Sequence, residues 1–416
     1  MARLGRIVRR LAIVLVLAGV GAILTLTQSA PNVAGPPPPD AVMVAAGRDA
    51  LLQLRGVGLP DDRPVTVMID PLRRDGLVAL ANQALQPVRV SATQNGEALT
   101  LSFSKPLPLG RWLNVTADMA GESKAFPPVQ LAIGHISLSP TVSRWLIDRA
   151  VDYGVTRGIA LPPLDRLVSH IAITPAGVSA TLQRPSSETG LAGLAALSGI
   201  AVTPPDPVLI GISYCKLASA QRAQPSADFA TQVRRAFAGQ RSGNLADQNR
   251  AAFIALAMFA ADSSINQLAG DAQAAIKKCQ IVSPALMLWG RSDLPRHWAL
   301  SAGLSARLGA QMAGQMGEWK ELLDSLPLGS GFSFVDLAAN RSGFRFASAG
   351  SSDETASAIR NRLSKARAQH LLPQPLLKAP EQLSQKEWEA RFTNTDAAKY
   401  QAAIAAIDRQ LNAVIK

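Results

Sequence analysis

VRVSATQNGEALTLSFSKPLPLGRWLNVTADM, residues 88–119, decides the fold of the N-terminal half, because apolar and polar side chains alternate along it. Val88, Val90 and Ala92 mark one strand, Leu99, Leu101 and Phe103 a second, and Leu113, Val115, Ala117 and Met119 a third. A period of two buries one face of a sheet. Asn95-Gly96, between the first two runs, is a dipeptide that closes a tight antiparallel hairpin. Working outward, Val129, Leu131 and Ile133 predict a further strand. Ser139 and Pro140 then predict a helix start, with Val142, Leu146 and Tyr153 along one face. Ile171 and Ile173, the turn Pro175-Ala176-Gly177, and Val178, Ala180 and Leu182 read as a second hairpin. Residues 41–185 are therefore expected to form an antiparallel, β-rich domain with flanking helices.

Composition changes after that point. Pro185-Ser186-Ser187 and Pro204-Pro205-Asp206-Pro207 bracket a Gly/Ala-rich stretch, so 186–207 reads as a linker. Residues 208–416 are helical in character. Asp247 to Ala260, DQNRAAFIALAMFA, combines strong helix formers with an apolar body and reads as a buried helix. The segment from Lys386 to Lys416 has helical spacing and closes the domain. With 416 residues, two compact domains are the natural arrangement. The fold class expected is α+β: an N-terminal transmembrane helix, the β-rich domain, then a mostly α-helical C-terminal domain.

The N-terminus carries Arg3, Arg6, Arg9 and Arg10 in residues 1–10, followed by the apolar run Leu11 to Thr27. At 1.5 Å per residue this run covers roughly 25 Å, enough for one membrane span, assigned to residues 11–28. The arginines keep the N-terminus cytoplasmic and send the rest across. A cleaved signal peptide is the competing reading, but its cleavage sites are poor: Gln28 stands three residues before a cut after Ala30, Pro31 follows it, and Val20-Gly21-Ala22 lies inside the apolar run. Residues 29–40, with Pro36 to Pro39 in a row, read as an extended spacer that holds the domains off the membrane. The expected setting is a bacterial inner membrane crossed once, with the bulk of the chain periplasmic.

The net charge of +12 leaves about +8 beyond the four N-terminal arginines. Such a surface suits anionic lipid or cell-wall polymer such as peptidoglycan. Nucleic acid is disfavoured, since no recognition motif is present. Cys215 and Cys279 are too few for a disulfide scaffold or a cysteine-built zinc site. They either pair with each other or stand as two buried thiols. The sequence contains no Gly-x-Ser-x-Gly elbow, phosphate-binding Gly-rich loop or His-Glu-x-x-His helix.

Chemistry concentrates between Arg291 and Phe346. Ser292 or Asp293 can cap a helix carrying Arg296, His297 and Ser301, with His297, Ser301 and Ser305 along one face. A second helix carries Glu318, Trp319, Lys320, Glu321, Asp324 and Ser325, and ends at Pro327. Gly329-Ser330-Gly331 makes a turn, after which Ser333 and Asp336 fit a capping box for a third helix bearing Asn340, Arg341 and Gly343. If His297, Glu321 and Asp336 converge, they offer either a divalent-cation site or an acid/base pair with an oriented histidine. One histidine with oxygen ligands makes zinc less natural than magnesium or calcium, and the sequence by itself calls for no cofactor. Glu318 or Glu321, desolvated by Trp319 and Met316, is an alternative general acid. Arg296, Ser301, Lys320, Asp324, Ser333, Asn340 and Arg341 are the accompanying binding candidates. In the plainest structural alternative, His297 bonds within a helical core, Lys320 and Asp324 form a surface pair, and Ser333 only caps.

HWALSAG, KELLDS and GSGFSFVDLAANRSG resemble the C-terminal cassette of an uncharacterised proteobacterial envelope family, and more loosely YfiM-like lipoproteins and VanZ-like membrane proteins. The likeness covers about Arg291 to Phe346 and departs where Trp298 replaces phenylalanine and Asn340 replaces an acidic residue. It implies an envelope setting and no particular reaction. The expected function is binding or assembly at the envelope, with an envelope hydrolase, in particular a peptidoglycan glycosidase, as the alternative.

Overall fold

The computed structural model describes residues 21, 23–35, 38, 40–56, 64–156, 164–182, 206–239, 243–260, 272–279, 281, 285–309, 314, 317, 318, 320–322, 324–326 and 329–415. The chain is α+β with two antiparallel sheets, and it divides into two compact units. The first comprises residues 1–37 and 45–189, the second 38–44 and 190–416.

In the first unit, helix α1 (Ala41–Gly56, from Ala45 onward), strand β1 (Val65–Ile69) and helix α2 (Pro71–Ala84) precede the hairpin. The stretch quoted at the outset forms β2 (Arg89–Asn95), β3 (Ala98–Pro106) and β4 (Trp112–Ala120). Val90, Phe103, Val115 and Ile133 lie in one row across them and β6 (Gln130–Ile133), so the period-two pattern sets the register. The sheet runs β2-β3-β4-β6-β7, where β7 is Ile136–Ser137. Gly121, at φ +75°, turns the chain out of this sheet, and β5 (Glu122–Ser123) joins the second one. Helix α3 (Pro140–Thr156) and the short α4 (Leu164–Leu167) lead to the second expected hairpin, β8 (Val168–Thr174) and β9 (Gly177–Leu182). The second sheet has the order β1-β9-β8-β5.

The face of α3 that carries Val142 and Tyr153 is exposed, while Ser143 is buried and its Oγ accepts the Leu131 N–H at 2.9 Å. One expectation is corrected here. Residues 29–40 are not an extended spacer throughout. Gln28 and Trp112 exchange backbone bonds of 2.8 Å, Asn32 N donates to Asn114 Oδ1, and Val33 N to Ser104 Oγ. Asn114 and Ser104 are buried polar side chains whose hydrogen-bonding capacity draws this segment onto the sheet.

The same contacts limit the expected span. His135 N donates to Thr25 O, so a span drawn to residue 28 would place sheet-bonded backbone in lipid. Of residues 11–28, 11–20 and 22 lie outside the described residues, as do the basic segment 1–10 and most of the linker 186–207. No helix among the described residues is long and apolar enough to cross a membrane.

The second unit is helical. Asp206 caps α5 (Pro207–Ala223), so Pro207 begins a helix rather than ending the linker. α6 (Phe229–Phe237), α7 (Leu245–Ala260) and α8 (Gln273–Cys279) follow. α7 contains the expected buried helix, with residues 251–257 all buried. Its Asn249 donates to Gly350 O and Ala356 O and accepts from Arg360. Cys215 and Cys279 form a disulfide with a Cα–Cα distance of 5.3 Å, tying α5 to α8.

Two further helices position the site: α9 (Asp293–Leu308) and α10 (Phe334–Gly350). A Cβ on Gly343 would stand 2.0 Å from the Trp298 carbonyl oxygen, so only glycine lets these backbones approach so closely. Trp298, fully buried against Phe229, Phe253 and Phe346, donates its indole N–H to Ser342 Oγ at 3.0 Å. After α11 (Ala356–Leu363) and α12 (Ala368–Leu371), the C-terminal segment forms two helices, α13 (Gln385–Phe392) and α14 (Ala398–Ile415). Thr393, at φ +65°, separates them.

Candidate functional site

The close seam between α9 and α10 puts His297 opposite Asp336 and Asn340. His297, Ser301 and Ser305 do form one face: His297 Nδ1 is 3.2 Å from Asn340 Oδ1, Ser301 Oγ donates to the same oxygen at 3.0 Å, and Ser305 donates to Phe344 O. His297 Nε2 is 3.3 Å from Asp336 Oδ2. Ser292 is the N-cap of α9 but makes no side-chain capping bond, and Asp293 pairs with Arg291 instead.

Glu321 reaches this point from a helical stretch that includes residues 317, 318, 320–322 and 324. The chain then reverses through Gly331, at φ +87°, whose N–H donates to Asp324 O. Phe332 and Leu383 exchange backbone bonds, and Ser333 arrives beside Glu321. Ser333 caps α10 by accepting the Asp336 N–H at 3.0 Å, as the capping motif predicts. The return bond of a closed box is absent. Ser333 N donates to Glu321 Oε2 at 3.1 Å, which leaves the Asp336 side chain available to His297.

One nitrogen or oxygen from each of His297, Glu321 and Asp336 lies within 4.8 Å of the others. Glu321 is 0 % exposed, His297 and Asp336 only 11 % and 13 % at the side chain. Burial pushes the Glu321 carboxyl up to about 7, against the opposing pull of Lys320 and His297, while Asp336 adds to the rise. Lys320 Nζ is 3.3 Å from Glu321 Oε1 and 2.5 Å from Asp324 Oδ2, so the expected i,i+4 pair exists and also reaches the site. Asp336 divides its oxygens: Oδ1 faces Arg291 Nη2 at 3.3 Å and Oδ2 faces the histidine. Asn340, 4 % exposed, keeps its Nδ2 buried and without a hydrogen-bond partner among the described residues.

Other candidates lie elsewhere. Glu318 accepts from the Tyr400 hydroxyl on α14, and burial raises its carboxyl despite that bond. Arg341 pairs with Asp408 at 2.8 and 2.6 Å and is committed there. Arg296 is exposed on α9. Trp319 and Met316, expected to desolvate the glutamates, lie outside the described residues. Of the remaining histidines, His170 stands 3.5 Å from Glu122, and His370 Nδ1 accepts the Arg367 N–H.

Sequence reasoning missed the ion-pair hub beneath the cluster. Arg291 holds Asp293 at 2.5 Å, Glu381 at 2.6 Å and Asp336, and Ser333 Oγ donates to Glu381. Glu381 enters through the bridge between Phe332 and Leu383, a long-range pairing with no local motif. Comparison with protein-family models, curated proteins and solved structures finds no match, so the geometry of this cluster carries the functional argument alone.

Proposed function

We propose that the chain is a membrane-held cell-envelope protein that works by binding, with the His297–Glu321–Asp336 cluster of its helical unit as the working site. The convergence of three ligand-type side chains within 4.8 Å of one another is the observation that carries this reading. A surplus of cationic side chains, about +8 beyond the N-terminal arginines, supports anionic lipid or peptidoglycan as the surface it meets. The apolar run before Thr25 supports a membrane tether. Co-sedimentation of the full chain with phosphatidylglycerol vesicles and with purified peptidoglycan tests the proposal. Retention on either one, weakened by Glu321→Gln, is expected; retention on neither sinks it.

A second reading is an envelope hydrolase with His297, oriented by Asp336, as acid or base. The buried Glu321 carboxyl, raised to about 7, favours it, since such a group donates or accepts a proton near neutral pH. Release of reducing ends from purified peptidoglycan, abolished by Glu321→Gln, distinguishes this from binding.

A further inference from the structure

We infer that His297 Nε2, Asp336 Oδ2 and a Glu321 carboxylate oxygen together hold one divalent cation of the oxygen-preferring class that tolerates an imidazole, such as Mn2+. This deepens the proposed function and rests on the cluster being the working site.

The histidine supplies the first argument. Both of its ring nitrogens face oxygens, Nδ1 toward Asn340 Oδ1 and Nε2 toward Asp336 Oδ2. A neutral imidazole has one N–H, so one of these contacts opposes two acceptors. Asn340 Oδ1 accepts best from Nδ1–H, and the Nε2 lone pair is then aimed at a carboxylate. A cation between them removes the conflict, as a second proton on the imidazole also would. The Asn340 orientation that creates this conflict is the one in which Ser301 Oγ also donates to Oδ1 at 3.0 Å. An N–H···O bond at the far nitrogen is the usual device that fixes the tautomer and direction of a metal-binding histidine.

Distances supply the second argument. Neighbouring donors about 2.2 to 2.5 Å from one ion are about 3.1 to 3.5 Å apart, and opposite donors about 4.4 to 5 Å. The Nε2–Oδ2 separation of 3.3 Å fits the first value, and the 4.8 Å limit for the whole set fits the second. The three groups therefore fit within one coordination sphere as they stand.

Charge supplies the third. Among the described ion pairs, Glu321, Asp336, Asp324, Asp293 and Glu381 are joined to Lys320 and Arg291. Carboxylates outnumber their basic partners around a buried imidazole. Arg291 occupies Asp336 Oδ1 and leaves Oδ2 to the ion. Lys320 is the competitor: it is exposed, touches Glu321 Oε1, and has Asp324 as its second partner. Its ammonium can swing to Asp324 alone when an ion arrives.

The test is titration of the full chain, in detergent micelles, with Mn2+ followed by its paramagnetic resonance signal. One ion per chain is expected, with binding lost in His297→Ala and Asp336→Asn and weakened about 10- to 100-fold in Asn340→Ala. Lys320→Met, with its folding checked by circular dichroism, is expected to tighten binding, an outcome a merely structural lysine would not produce. Absence of saturable Mn2+ binding, or an affinity unmoved by Asp336→Asn and not raised by Lys320→Met, overturns the inference. If Mn2+ does not bind while Glu321→Gln still weakens retention on vesicles or peptidoglycan, the cation inference falls and the binding function stands. If retention is also unaffected, both fall.

Discussion

Glu321 accepts the backbone N–H of Ser333 at 3.1 Å, the bond that Asp336 would make in a closed capping box. A glutamate from the preceding helical stretch thus does half the capping of α10, and the aspartate of the motif turns to His297. Capping and site assembly are one event. Glu321→Ala strands the buried Ser333 N–H, and should destabilise the protein by about 1 to 3 kcal/mol beyond the loss of packing. Urea unfolding of Glu321→Ala against Glu321→Gln, which retains an acceptor oxygen, measures the difference; equal midpoints would remove Glu321 from the cap.

Gly343 is the close contact that sets the spacing of the site. A methyl group there would stand 2.0 Å from the Trp298 carbonyl, with no flexible atom to give way. Gly343→Ala should cost about 1 to 3 kcal/mol through forced separation of α9 and α10. It should also carry His297 away from Asp336, so the loss of site function should exceed what the stability change explains. Calorimetric melting and Mn2+ titration of the same variant check the two parts.

Glu318 predicts a pH dependence. Its buried carboxyl is raised above the ordinary 4.5, so the folded chain holds this proton more tightly than the unfolded chain does. The stabilisation this group provides is complete below the ordinary value and is lost as pH rises through the folded value. Relative to Glu318→Gln, the wild type should therefore lose stability from acid toward neutral pH. Paired urea midpoints across that range give the answer, and a constant difference would refute the assignment.

The Cys215–Cys279 disulfide closes a loop of 64 residues. In the chain-entropy account this stabilises the folded state by about 4 kcal/mol. Reduction, or a Cys215→Ala/Cys279→Ala double variant, should lower the unfolding free energy by an amount of this order. Mass spectrometry of alkylated native protein would show blocked thiols in the absence of reductant.

The legible parts of the chain were those with local causes. Val90, Phe103 and Val115 stand in one row of the sheet, with Val90 buried, and Asn95-Gly96 closes the hairpin in place. His297, Ser301 and Ser305 share a face by helical spacing, and Ser333 announces its cap through Asp336. What stayed hidden depends on distant contacts. Val33 docks through Ser104, 71 residues away, and Glu381 joins Arg291 across 90 residues. That the face carrying Val142 and Tyr153 is the exposed one is not legible, because apolar spacing cannot reveal that a buried serine hydroxyl satisfies a strand N–H. Glu318 and Glu321, adjacent by helical spacing, separate in role because Tyr400 captures the first and Ser333 the second.

A double-mutant cycle in metal-free protein asks most directly whether the two sides of the α9–α10 seam act as one site. His297→Ala and Asp336→Asn, alone and together, would be compared by urea unfolding. Groups 3.3 Å apart should show a coupling of about 0.5 to 3 kcal/mol. Strict additivity of the two changes would contradict the account.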